Sequence, residues 1–143
     1  MLKLVLLTPE NLVDYWHLIK DKVEEALKKG TGESSIFDVY KKLINGHAQC
    51  WVVLKDDKDM VAVATTEFIE WSQYKSLHLI TVTGDGWDEY KYLHAELEQF
   101  AKDSGCKDVQ VWGRKGWEKK LDKFEGKNGS KYKHTYSVFS MEV

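Results

Sequence analysis

Five histidines, two cysteines and 23 carboxylates are the groups with which this 143-residue chain could do chemistry, and their spacing excludes more than it offers. Cys50 and Cys106 match no zinc or redox spacing and have no histidine at a recognisable interval, so thiol chemistry is not expected. Two such cysteines fit a reducing compartment. His17 sits beside Trp16 on a predicted helix surface, and His94 lies on an apolar helical stripe; both read as structural. No metal-ligand constellation appears. Arg114, Lys115, Lys119, Lys120 and Lys123 form a basic face on a predicted helix, with Lys127, Lys131 and Lys133 following it. That face reads as solvated surface or as a docking surface for an acidic partner.

These groups are positioned by a single predicted domain, residues 1–143. A chain of this size buries roughly 70% of its unfolded surface and needs no staples. A hydrophobic share of 43% and a charged share of 31% are ordinary for a soluble globule. A net charge of −2 gives no bulk signal for a polyanion, so nucleic acid is not expected as a specific ligand. No apolar run approaches membrane-spanning length, and synthesis in a cytoplasm is expected. The one excess is aromatic: six tryptophans and seven tyrosines, which read mainly as packing and secondarily as partner surface.

The spacing predicts a strand over 3–7. A helix follows from the Thr8 cap and Pro9, with Leu12, Trp16, Ile19 and Val23 on one face and Gly30 as its stop. Ser35 and Asp38 form a capping-box pattern for a second helix, which Gly46 ends. Residues 50–55 and 60–71 flank a turn of acids and a lysine, which predicts a β-hairpin. Residues 76–83 follow as a strand, with His78, Ile80 and Val82 on one face and Leu77, Leu79 and Thr81 on the other. A third helix is predicted over 87–103 with Gly105 as its stop, then a strand over 108–112 and a helix over 115–124. A final alternating strand is predicted over 132–143. The order is β-α-α-β-β-β-α-β-α-β, an α/β domain with a mixed sheet.

That order resembles the GNAT fold, the family of acyl-CoA-dependent N-acyltransferases. The likeness is sharpest at V-Q-V-W-G-R-K-G-W-E-K-K-L-D-K-F, Val109 to Phe124, followed by Tyr136 to Met141. The short tryptophan-rich form with G-R-K-G-W resembles GNAT-like proteins of tailed bacteriophages, some of them virion proteins. The resemblance implies acetyl-CoA as cofactor, with Val82, Thr83, Gly84, Gly86 and Trp87 as the residues that would hold it. It implies a strand carboxylate as base and a tyrosine as acid: Glu67 or Glu70 for the first, Tyr132 or Tyr136 for the second.

The family's Gln/Arg-x-x-Gly-x-Gly/Ala pattern is incomplete here. Thr83-Gly84-Asp85-Gly86-Trp87-Asp88-Glu89 keeps two glycines and has no Arg or Gln. A helix start offers N–H donors and partial positive charge to a phosphate. The dipole contributes roughly 0.3–1 kcal/mol when exposed. A carboxylate ~5 Å from a phosphate charge opposes it by about 3 kcal/mol at an effective dielectric of about 20. Asp85, Asp88 and Glu89 are therefore expected to cap the helix themselves. The reading favours a degenerate cofactor site in a non-catalytic interaction module, with no cofactor. A protein partner, a phage particle or a second copy, would then meet Arg114, Lys115 and Trp117. The alternative is an active N-acetyltransferase on a small amine or protein lysine, using acetyl-CoA.

Overall fold

The computed structural model describes residues 1–29, 34–84, 86–112 and 115–143. They form two compact units, residues 1–112 and 113–143. The first unit contains β1 (Leu2–Leu7), α1 (Pro9–Lys28), α2 (Ile36–Ile44), β2 (Ala48–Lys55), β3 (Asp59–Glu70) and β4 (Lys75–Thr83). It continues with α3 (Trp87–Tyr90), a 3-10 turn at Lys91–Leu93, α4 (His94–Asp103) and β5 (Asp108–Val111). The second unit contains α5 (Lys115–Asp122). Gly30, a predicted helix stop, lies outside the described residues.

Local signals account for most of these boundaries. Thr8 accepts from the Asn11 N–H at 3.2 Å and caps α1, with Pro9 at the first helical position. Ser35 and Asp38 exchange both bonds of a capping box at α2. After α4, Gly105 takes φ +80° while its N–H bonds Lys102 and the Cys106 N–H bonds Ala101. This double closure needs a left-handed residue that costs little without a Cβ. The β2–β3 turn places Asp56 and Asp57 both at positive φ, the twist that joins two antiparallel strands directly.

The sheet runs β1-β2-β3-β4-β5, antiparallel through β4, with β4 and β5 parallel. Helices cover both faces, so β2 is apolar on both sides. Cys50 and Val52 pack with Val63 under Leu12, Ile19, Val23, Val39 and Leu43 of α1 and α2. Trp51 and Val53 face the other way, in clusters with Tyr90, Leu93 and Leu97. Burying a side chain such as Ile19 completely contributes about 1.5–3 kcal/mol.

Three expectations are corrected. The third helix breaks at Lys91–Leu93 instead of running unbroken to Asp103. Its first half, Trp-Asp-Glu-Tyr-Lys-Tyr, lacks strong helix formers at most positions, and the tighter turn sets Tyr90 and Leu93 facing the sheet together. A β-bulge at Ile80 breaks the predicted alternation of β4: Thr65 pairs with Thr81 but Thr66 with Leu79. Ile80 joins the α1/α2 cluster, whereas Val82 shares the opposite cluster with Leu79. Residues 132–143 form no strand in the second unit. Alternation prepares a strand, but a neighbour's ladder bonds make one. Val138, Phe139 and Met141 are strongly exposed there.

Candidate functional site

Strands β4 and β5 pair over only four positions, from Ser76 with Asp108 to Leu79 with Val111. β4 runs on to Thr83, so its last residues have no described strand on the β5 side. The bulge at Ile80 falls where the two strands part. Bulges often re-aim side chains beside active sites.

Polar side chains converge just before that point. The β3–β4 register sets Glu67 opposite His78. Glu67 Oε2 lies 3.0 Å from His78 Nδ1, and its Oε1 accepts from Lys42 Nζ of α2 at 2.9 Å. His78 is only 7% exposed, and its ring stacks on Trp112, with centroids 4.1 Å apart and planes at 29°. The bond from His78 does most to hold the Glu67 carboxyl below the usual glutamate range; Lys42 adds to this, and burial opposes it. An ionised Glu67 only accepts, so neutral His78 keeps its proton on Nδ1 and its lone pair on Nε2. Among the described residues, Nε2 makes no hydrogen bond. An imidazole with one nitrogen tied to a carboxylate and the other unclaimed is equipped to take a proton.

The far end of β4 is built differently. Gly84 has φ +129°, and a Cβ there would meet the Val61 carbonyl oxygen at 2.4 Å and Ala62 Cα at 2.7 Å. Gly86 at φ +87° starts α3 with no side-chain cap. The expected self-capping by acids is therefore not found at Asp88 and Glu89; Asp85 lies outside the described residues. The Asp88 carboxylate is 90% exposed and meets Lys91 Nζ at 3.2 Å, while Gly86 O accepts from the Glu89 and Tyr90 N–H groups. The Glu89 carboxylate stays beside the helix start, its Oε2 3.7 Å from where a Cβ on Gly86 would sit. A cavity of about 510 Å³ opens here, lined by Thr83, Gly84, Glu89 and Tyr90 together with Lys22 and Lys55. Thr83, its first lining residue on β4, is five residues along the strand from His78, about 17 Å away at strand rise. Cavity and paired polar groups thus sit at different places.

The other predicted residues are scattered. Glu70 ends β3 with its carboxylate mostly exposed, 3.9 Å from Lys75. Val82 packs toward Leu79 and Leu97, and Trp87 meets Tyr90 edge-on at 5.8 Å. In the second unit, Tyr136 is 59% exposed, Tyr132 lies 6.0 Å from Phe124, and Lys120 sits 5.1 Å over the Trp117 ring. Arg114 and the Lys115 side chain lie outside the described residues. Sequence reasoning missed His78. Its one signal was a histidine opposite the T-T-E-F strand, readable only once the hairpin register is known.

No protein-family model matches the chain, and no curated protein sequence matches it. Solved structures do. An aminoglycoside acetyltransferase from an uncultured soil metagenomic sample, in complex with sisomicin, is similar over 99% of this chain and 97% of that one. Its identity is 19% and its TM-score 0.63. A ribosomal-protein-alanine N-acetyltransferase from Brucella melitensis biovar Abortus 2308 is similar over 100% and 99%, with 10% identity and TM-score 0.69. A predicted acetyltransferase with acetyl-CoA from Clostridium acetobutylicum covers 99% and 96%, at 12% identity and TM-score 0.66. The chain has the GNAT acetyltransferase fold. At these identities the likeness establishes the GNAT architecture, and the chemistry has to be argued from the side chains. Among the described residues, no helix of this GNAT-fold chain is long and apolar enough to cross a membrane.

Proposed function

We propose that the chain is an N-acyltransferase acting on an amine, with His78 as general base and Glu67 as the group that orients it. The observation that carries this is the Glu67–His78 pair at the place where β4 and β5 part. The reading treats residues 1–143 as one domain, because the solved neighbours align over 99% or more of the chain.

Acetyl-CoA is the donor the fold implies, and the residues present fit it. The β4 edge over residues 80–83 lacks a described strand beside it, α3 begins without a side-chain cap, and Asp88 is turned to Lys91. Main-chain groups of Val82, Thr83, Gly84, Gly86 and Trp87 would hold it, and it would supply an acyl thioester. His78 Nε2 takes the proton that the acceptor amine gives up. Glu67 steadies the resulting imidazolium through Nδ1–H, and Lys42 fixes the second carboxylate oxygen, so the pair needs little rearrangement when charge develops. Trp112 screens one face of the imidazole from water. Thiol release from acetyl-CoA across a panel of amines tests the reading. His78→Gln is expected to lower kcat/KM by about 10²–10⁴. Turnover at the unmodified rate in that variant, or none in the parent chain with any amine, overturns it.

A second reading is a non-catalytic module associated with a phage particle. It is favoured by Asp88 and Glu89 at a turn without Arg or Gln, and its partner surface would be Arg114, Lys115 and Trp117. Titration calorimetry with acetyl-CoA separates the two: absence of binding supports this reading and removes the first.

A further inference from the structure

We infer that Gln110 is a positioning residue that latches the Trp112 indole over His78. The inference rests on the reading of His78 as the base and goes beyond it, because it assigns work to side chains that touch no reacting atom. Trp112 is 58% exposed. A ring with that much surface in water ordinarily samples several rotamers. Here it has a tether: Trp112 Nε1–H donates to Gln110 Oε1 at 3.2 Å. The Gln110 amide is in turn oriented, because its Nε2 donates to Asp108 Oδ2 at 3.3 Å. Turning the amide over would set a donor against the indole N–H and an acceptor against the carboxylate. Asp108 is held by the hydroxyl of Ser76, 2.5 Å from Oδ1, and Ser76 is fully buried.

The arrangement follows from strand geometry. Asp108, Gln110 and Trp112 alternate along one face of β5 and its continuation, and the parallel register sets Ser76 beside Asp108 and His78 beside Gln110. An immobile hydroxyl inside the sheet thereby fixes an indole at the surface, through two intermediate side chains. The ring keeps water from competing for the His78–Glu67 bond. The Nδ1 proton stays on the Glu67 side, and Nε2 stays the basic nitrogen. Lys42 is committed to Glu67, and the Asp108 carboxylate to Ser76 and Gln110.

The test uses the whole chain with neither donor nor acceptor present. Exchange of the Trp112 indole proton is measured by NMR, and the His78 tautomer is read from two-bond ¹H–¹⁵N correlations. In the parent chain His78 is expected in one tautomer with Nε2 unprotonated. Gln110→Leu is expected to speed indole exchange by about tenfold, the upper range of one hydrogen bond's net worth, and to mix the tautomers. Trp112→Phe keeps a ring but has no N–H to latch, and is expected to mix the tautomers in the same way. If Gln110→Leu folds poorly, that second variant decides alone. A single unchanged tautomer in both, or in Trp112→Phe alone where only it folds, overturns the inference. A failed role for His78 shows separately, as His78→Gln retaining full acyl-transfer activity while the tautomer results stand.

Discussion

The two ends of β4 solve different problems with different parts of the chain. Around Ser76 and His78 the strand carries polar side chains, matched to Asp108 on β5 and Glu67 on β3, and Glu67 is in turn held by Lys42 of α2. Around Gly84 two glycines and a helix start without a side-chain cap bring the main chain to a cavity that Glu89, Tyr90, Lys22 and Lys55 also line. Under the proposed reading one end serves proton transfer, where a group must be held to within a hydrogen bond's tolerance. Under the same reading the other end admits close approach of a ligand at its two glycines. The same strand can serve both because its pairing with β5 ends between them.

The largest expected effect strikes the Gly84 end. Gly84→Ala sets a methyl group 2.4 Å from the Val61 carbonyl oxygen at a φ that alanine rarely adopts. Strain and overpacking together should cost about 3 kcal/mol of stability. Urea denaturation of the variant should show the midpoint falling accordingly, and a loss below about 1 kcal/mol would mean that β3 yields easily and the turn is not set by contact. The His78 tautomer in the folded variant should match the parent chain, since the two ends share no side chain.

A smaller loss is expected when the cluster end is broken. Glu67→Gln removes the charge that both Lys42 and His78 face, and should cost about 2 kcal/mol at neutral pH, the range for hydrogen bonds to charged groups. The pH dependence has a definite sign. The folded-state pKa of Glu67 lies below its ordinary 4.5, so its contribution is present above that value. It fades as pH falls through the folded value. The stability gap between parent and Glu67→Gln, followed by denaturation from pH 7 downward, should stay open to below 4.5 and then close. A gap independent of pH would show that Glu67 acts by shape and not by charge.

The sequence made these two ends unequally legible. Gly84, the caps at Thr8 and Ser35 and the stop at Gly105 announce themselves within four residues, because each satisfies a local backbone demand. The cluster is not local. Lys42, Glu67, His78, Ser76 and Asp108 come from four elements, and alternation along β4 correctly set His78 on one face without revealing what faced it. Glu67 was singled out as a base; its bonds to Lys42 and His78 are what the proposed reading uses to make it the orienting group instead. The bulge at Ile80 left no composition signal, and one inserted residue was enough to move Val82 to the other face. The predicted strand at 132–143 failed for a related reason: pattern specifies a face, while pairing needs a partner that periodicity cannot supply.

The smallest effect discriminates most finely between the two ends. Asp88 is exposed and, among the described residues, paired only with Lys91, so Asp88→Asn should alter stability by under ~0.5 kcal/mol. If acetyl-CoA lies along the glycine turn, the variant also removes one repulsive charge. At ~10 Å in a nearly aqueous dielectric that charge is worth about 0.4 kcal/mol. The dissociation constant from calorimetry should therefore fall by roughly a factor of two. A tenfold fall would put the carboxylate against the phosphates and make it a true obstacle, against the observation that it leans toward Lys91. Unchanged affinity would mean that the phosphates never come near α3, and that the main-chain surface around Gly84 exists for a different ligand than the fold implies.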